Sequence, residues 1–445
     1  MTEPSAFDTG DETVDAALTD LATADPACAN QAEAAFGALT WGQGLQIVSL
    51  RGVQEFLWYQ LPTKFAVPLQ EHLEVAHALG ALFDRVGFPR YAQLCRSPIT
   101  DSILGVYDSD GSDAGITAYR KALDAGGVEP PDIPGLLTWG GMLGVEEHAA
   151  FWALADHLEL AITAGAYTPG GRGWRAAAAD VASGYLTISR VELAGDSYLH
   201  RIHTERRGRW AESRGEGRDA LTQAVLPLLT DPPPVPADAE DHLTQIRWFL
   251  TAFAGDGAPL TVNNTLGRAL LTEACHRFDW LILGKQAPPE NQLPEAHRLR
   301  GILTQLGATR RRGRRLLLTT RGQQLLNADT PTLWDGVAGT LIPTDPAEAA
   351  AAEITLMLLL TDRPPSYGSP VVADILTGEG WRTEDGGPLT ARDTGWMTGE
   401  VHGRLDFLHL TGKPNLVTRS ALTPTGRSAA LTALRHHAHE PRNRR

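Results

Sequence analysis

The sequence has little cysteine and no long apolar run, and each shortage argues against a class of protein. It has three cysteines among 445 residues, none in a C-x-x-C pair, which argues against a disulfide framework or a thiolate zinc site. No stretch approaches the roughly 18 apolar residues that a membrane span needs, and the N-terminus lacks the order of charges of a signal peptide. With 42% hydrophobic residues and a net charge of -14, we expect a cytoplasmic protein that contacts no membrane.

Composition and hydrophobic spacing predict a chain of several parts. Apolar residues recur at helical spacing, for example at Leu69, Ala76 and Phe83, and again at Val145, Trp152 and Leu158. Four prolines are clustered within residues 231–238. Such a cluster cannot continue a helix and favours a stiff spacer. The predicted parts are an acidic segment that is disordered or a frayed helix (1–35), an all-helical domain (36–230), a proline-rich linker (231–238), a first module (239–343), a second module (344–438) and a basic tail (439–445).

The first module shows the pattern of a winged helix-turn-helix. Residues 294–306 have helical spacing and end at Gly307, two extended arms follow around Arg312-Gly313, and Thr319 can cap another helix. The second module repeats this ending more weakly. The pattern L-T-x-x-G occurs in the first module as Leu318-Thr319-Thr320-Arg321-Gly322, and its echo in the second module is Leu422-Thr423-Pro424-Thr425-Gly426. The predicted fold class is mainly α, with an all-helical bundle followed by tandem winged helix-turn-helix modules that carry short β-hairpins.

The strongest charge feature is residues 297–322, which contain eight arginines and no acidic residue. Arginine and glutamine can form paired hydrogen bonds with base edges, and arginines of a hairpin can contact phosphates. The alternative is a solvated hairpin, or one that pairs with acidic residues of the helical domain. The predicted DNA-contacting residues are His297, Arg298, Arg300, Thr304, Gln305, Arg310, Arg311, Arg312, Arg314 and Arg315.

Four other patterns favour structure over chemistry. His200 and His203 have helical metal-ligand spacing, but no third ligand is evident nearby. Residues 108–113 resemble a calcium loop whose glycine falls at the wrong position. The glycine-rich segment 168–174 lacks the lysine of a phosphate loop, and His148 shares an apolar stripe with Trp152. We therefore predict no catalytic residue, no metal site and no cofactor.

Three segments of the helical half, 57–64, 91–100 and 138–140, resemble the N-terminal region of an uncharacterised protein family of high-GC Gram-positive bacteria. Residues 299–322 resemble the winged-helix-like C-terminal region of the same family. The resemblance implies a helical region followed by a winged helix and carries no activity. We also expect Trp58, Trp139 and Trp174 to form a shared aromatic core.

Three functional hypotheses remain open on these observations. The first is a DNA-binding, transcription-regulatory protein whose partner is duplex DNA, and whose helical domain binds a protein partner or a small ligand, or forms a homodimer. The second is an interaction scaffold whose winged helices contact protein instead of nucleic acid. The third, an enzyme with a site near His148 or Gly170, lacks a nucleophile, base and orienting group together.

Overall fold

The computed structural model describes residues 7–212, 215–280, 287–361, 370–412 and 421–441. It is mainly helical, with 67% helix and 4% strand, and it contains one small antiparallel sheet. The chain forms two compact units, and the division between them falls after Ile202. None of the helices in the described ranges combines the length and the apolar character that crossing a membrane would require.

The first unit is built from short helices around two hydrophobic clusters. A π-helical turn at Phe56–Gln60 joins α3 to α4, and the one isolated bridge described in this unit pairs Ile133 with Leu137. Its helices are α1 (Glu12–Ala24), α2 (Pro26–Thr40), α3 (Leu50–Glu55), α4 (Leu61–Lys64), α5 (Leu69–Arg85), α6 (Pro89–Cys95), α7 (Pro98–Asp110), α8 (Ser112–Gly126), α9 (Val145–Thr163) and α10 (Trp174–Thr187), and α11 (Tyr198–Trp210) contains the division.

The acidic N-terminal segment forms two capped helices where the composition predicted disorder or a frayed helix. Asp11 and Asp25 cap α1 and α2 through their side chains, and both helices pack against α5. Val14 and Leu18 are fully buried. Because these residues, with Ala17 and Leu21, follow helical spacing, they bury one face although the surrounding composition is polar. Residues 1–6 lie outside the described residues.

The second unit contains the sheet and a second set of helices around one hydrophobic cluster. Its elements are α12 (Glu216–Val225), α13 (Ala239–Ala252), β1 (Ala258–Pro259), α14 (Arg268–Phe278), α15 (Pro294–Gln305), β2 (Thr309–Arg312), β3 (Arg315–Leu318), α16 (Thr320–Leu326), α17 (Thr330–Gly339), α18 (Pro346–Leu360), α19 (Val371–Gly378), α20 (Ala391–Phe407) and α21 (Pro424–His439).

The proline-rich segment 231–238 lies inside the second unit, and α12 before it packs against α18. The Pro234 carbonyl accepts a hydrogen bond of 2.8 Å from Ser428, and the Asp238 carboxylate accepts one of 2.9 Å from Thr425. Both donors belong to α21. The prolines do stop the helical pattern, but the extended backbone that they impose leaves carbonyls free for α21 to bind.

The sheet of the first module has strand order β1-β3-β2, with β3 antiparallel to both neighbours. Gly307, with φ of 62°, ends the turn after α15. The Ala308 carbonyl then accepts a hydrogen bond from the Thr319 amide at 2.9 Å. The Thr319 hydroxyl caps α16 by accepting from the Gly322 amide at 2.9 Å. A side chain at Gly322 would collide with the Ala308 carbonyl, so this crossing requires glycine.

The second module repeats this geometry around the L-T-x-x-G echo. His409, with φ of 54°, stands where the first module has Gly307. The Leu410 carbonyl accepts from the Thr423 amide at 3.0 Å, and the Thr423 hydroxyl accepts from the Gly426 amide at 2.9 Å. A side chain at Gly426 would likewise collide with the Leu410 carbonyl. The echo therefore marks the same turn in both modules.

The predicted hairpin of the second module is not present among the described residues. Residues 344–361, 370–412 and 421–438 contain no strand, and a single isolated bridge joins Thr411 to Leu422. The arm expected around Lys413-Pro414-Asn415 lies outside the described residues. Only the helical character of this module is therefore established.

A group of buried charged residues links α12, α18 and α21. Arg218, whose side chain is 2% exposed, forms ion pairs with Glu353 at 2.6 Å and with Glu379. Glu353 also accepts a hydrogen bond of 2.7 Å from the Trp210 indole and lies 3.5 Å from His437. With His437 protonated, Arg218, Glu353, Glu379 and His437 carry no net charge.

Stability should fall in alkaline solution because of His437. Burial opposes its charged form, but hydrogen bonds and the negative charges of Glu353 and Glu440 outweigh burial and raise its pKa to about 9. Because this folded-state pKa exceeds the ordinary value of about 6.5, the contribution is complete below about pH 6.5 and is lost as pH rises through about 9. Denaturant unfolding at about pH 7 and pH 10 should show a larger loss for the unchanged protein than for His437→Gln.

The matched control is His436→Gln, because His436 is more exposed and pairs with Asp335 at the surface. This variant should keep the pH dependence of the unchanged protein. Equal pH profiles for the unchanged protein and His437→Gln would contradict the assignment of the charge to His437.

Candidate nucleic-acid interface

The arginine-rich segment forms the hairpin of β2 and β3. Gly313, with φ of 58°, supplies the positive φ at its turn. Arg312 pairs with Arg315 and Arg310 with Leu317 across the two strands. Since paired residues share a face of a sheet, Arg310, Arg312 and Arg315 lie on one face, and Arg311 lies on the other.

Four hairpin arginines are exposed and have no side-chain partner in the part of the chain that the structure describes. Arg310, Arg311, Arg312 and Arg314 form no hydrogen bond or ion pair with any residue that the structure describes. The alternative expectation, that they pair with acidic residues of the helical domain, stays a prediction. These guanidinium groups are thus available to an external anion.

Arg315 has a different role from its neighbours. Its guanidinium donates hydrogen bonds to the backbone carbonyls of Asp256 and Gly257, the second at 3.0 Å. These carbonyls belong to the turn between α13 and β1. Arg315 therefore fixes the turn end of the hairpin. The sequence did not indicate this role because the partners lie nearly sixty residues away.

The helix α15 divides the predicted contact residues into two groups. His297 and Thr304 are exposed. Arg300 instead donates to the Asn264 carbonyl at 2.9 Å and forms an ion pair with Glu290 at 3.0 Å. These contacts join α15 to the segments that contain Asn264 and Glu290. Arg300 is therefore not free for DNA in this arrangement.

The remaining two predicted residues contact α20. The Gln305 amide donates to the Ile342 carbonyl at 2.5 Å, and its carbonyl accepts from Arg404 at 2.7 Å. Arg298 occupies the space beside Gly403, where a larger residue would collide with its guanidinium. The face of α15 that was expected to contact bases is therefore partly covered by the second module.

The weaker sequence patterns do not form metal sites. His200 lies near Asp196 in the first unit, whereas His203 stacks on His439 with ring centroids 3.9 Å apart. Residues 108–113 are the last residues of α7, the connecting Gly111 and the first residues of α8. Within the described ranges, no group of three or more histidine, cysteine or acidic residues could hold a metal ion.

No family model matches the sequence, and no significant match occurs among the curated proteins or the solved structures.

Proposed function

We propose that the first module is a winged helix-turn-helix and that its hairpin binds the phosphate backbone of duplex DNA. The chain order α13, β1, α14, α15, β2, β3 and the strand order β1-β3-β2 support this architecture. The observation that carries the function is the set of four exposed arginines without a partner among the described residues, in a protein of net charge -14. The second module is proposed to be a divergent winged helix.

The coverage of α15 favours contacts with phosphate over contacts with bases. Gln305 and Arg300, which could pair with base edges, already have partners within the protein. Phosphate contacts give affinity that falls with salt and carry no sequence information directly. We therefore propose sequence-tolerant binding through the hairpin, within a cytoplasmic, transcription-regulatory role.

Fluorescence anisotropy with labelled mixed-sequence duplex DNA tests this function. Four phosphate contacts predict a log-log slope of affinity against salt near -3.6, since each contact contributes about -0.9 on B-DNA. Unlabelled duplexes of different sequence should displace the labelled duplex equally well. Absence of binding even at low salt would refute the proposal.

A second candidate function is a protein-interaction scaffold. The contact between Gln305 and Arg404 favours it, because it shows that the α15 face is used for packing against another helix. Partners that remain bound to the purified protein after nuclease treatment would support the scaffold. Loss of every partner with nuclease would support DNA binding instead.

A further inference from the structure

The first unit contains a cleft of about 770 Å³ that is lined by aromatic side chains. It lies among α3, the end of α8, α9, α10 and the segment 127–143. Trp139, Phe151, Trp152 and Trp174 line it, whereas Trp58 is 2% exposed elsewhere and donates to Thr100. The three tryptophans expected to share a core are thus divided between a core and a cleft.

Three rings of the cleft, those of Trp139, Phe151 and Trp152, form a connected wall. Phe151 contacts Trp139 edge to face, with centroids 5.2 Å apart, and contacts Trp152 in a similar way at 6.2 Å. Arg51 lies over the Trp152 ring at 5.4 Å and Arg175 over the Trp174 ring at 4.5 Å. Indole faces attract cations through the ring quadrupole, so two of these rings already bind cationic groups.

The charges around the cleft leave an excess of negative charge. Arg51 is buried and is neutralised by Glu55 at 3.0 Å and Glu129 at 2.6 Å. Arg175 pairs with Asp124. The fourth carboxylate, Asp132, has no cationic partner among the described residues. Four carboxylates therefore face two guanidinium groups.

Hydrogen bonds hold the 127–143 wall in place. Asp132 accepts from the Trp139 amide at 2.9 Å, and the Trp139 indole donates to the Pro131 carbonyl at 3.1 Å. The Gly140 amide donates to the buried Glu147 carboxylate at 3.1 Å. Because these bonds lie within the chain itself, binding would require little ordering of this wall.

We propose that this cleft binds a small organic cation, of the quaternary ammonium class, through its aromatic rings and the Asp132 carboxylate. The excess negative charge disfavours an anion, and a neutral ligand of the same shape forms no ion pair with Asp132 and no cation–π contact with the rings. The site is independent of the arginine hairpin and of the function proposed for it.

Three probes that share one branched head group test the charge requirement. Choline is positive, 3,3-dimethylbutan-1-ol is neutral and 3,3-dimethylbutanoate is negative. Calorimetric titration of the full-length protein should give binding of choline at least about tenfold tighter than binding of the alcohol, and no binding of the acid. Equal binding of all three probes, or binding of none, would overturn the proposal.

Two variants locate the site within the cleft. Asp132→Asn keeps an acceptor for the Trp139 amide but removes the charge, so choline should bind several-fold more weakly while the alcohol is unaffected. Trp152→Leu should weaken choline further. The controls are Asp180→Asn and Trp396→Leu, which change exposed residues outside the cleft. Unchanged choline binding by both cleft variants, with unchanged thermal unfolding, would place the cation elsewhere and overturn the assignment.

Discussion

Replacing Arg310, Arg311, Arg312 and Arg314 together with alanine should weaken binding to mixed-sequence duplex DNA by about 100- to 1,000-fold at about 0.1 M salt. Each phosphate contact contributes about 0.9 decade of affinity per decade of salt, so losing four contacts should also bring the salt slope close to zero. Arg315 stays unchanged in this variant, because it anchors the hairpin to the carbonyls of Asp256 and Gly257. Anisotropy across a salt series measures both quantities.

A matched variant separates the hairpin from general charge. Arg120, Lys121, Arg172 and Arg392 are exposed elsewhere on the chain, and their replacement with alanine changes the net charge by the same amount. This variant should retain the affinity and slope of the unchanged protein, apart from a small long-range effect that salt screens. Equal losses in the two variants would refute a specific role of the hairpin.

Arg218→Met should destabilise the second unit by about 3–5 kcal/mol. Arg218 is nearly fully buried, and its removal leaves the Glu379 carboxylate without its cation and the Glu353 carboxylate with His437 alone. The cost arises because an unpaired buried charge loses its solvation without compensation. Denaturant unfolding, followed by far-UV circular dichroism, measures the loss as a lower midpoint.

Two further variants test this explanation. Arg314→Met removes an exposed arginine that has no partner among the described residues, and should change stability by less than about 0.5 kcal/mol. Adding Glu353→Gln and Glu379→Gln to Arg218→Met should restore part of the lost stability, because the buried charges are then removed together. If Glu353→Gln and Glu379→Gln instead lowered the stability of Arg218→Met further, each by its own separate effect, the stability lost in Arg218→Met would come from packing and not from charge.

Local spacing predicted several elements close to where the structure has them. The stripe from Leu69 to Phe83 is α5, and the segment 294–306 contains α15. The hairpin around Arg312-Gly313 and the cap at Thr319 also occur as expected. These features depend on neighbours within a few residues, which is the range over which helical spacing, turn glycines and caps act.

The stripe in α9 shows where spacing alone assigns a face only in part. Val145 is 81% exposed and His148 is also exposed, whereas Leu158 of the same stripe is buried, together with Ala150 and Leu154. Trp152 belongs to the wall of the cleft. Aromatic residues suit both a core and a ligand cleft, so their position in the sequence does not distinguish the two.

Contacts between distant residues account for most of what the sequence did not reveal. Nothing near Gln305 indicates that Arg404, about a hundred residues later, occupies its carbonyl. In the same way, nothing near the prolines of 231–238 indicates that α21 contacts this segment, because its partners on α21 are remote in sequence. The prolines alone therefore predicted a linker. Such pairings depend on how whole helices pack, which local patterns do not encode.

The contact of α15 with α20 has a consequence for how the second unit unfolds. One hydrophobic cluster runs from Trp210 to Ala438 and includes residues of both modules, and α17 packs on α21 across them. Neither module can lose its structure without exposing apolar surface of the other. The second unit should therefore denature cooperatively, in a single all-or-none transition, although its sequence looks like two consecutive modules.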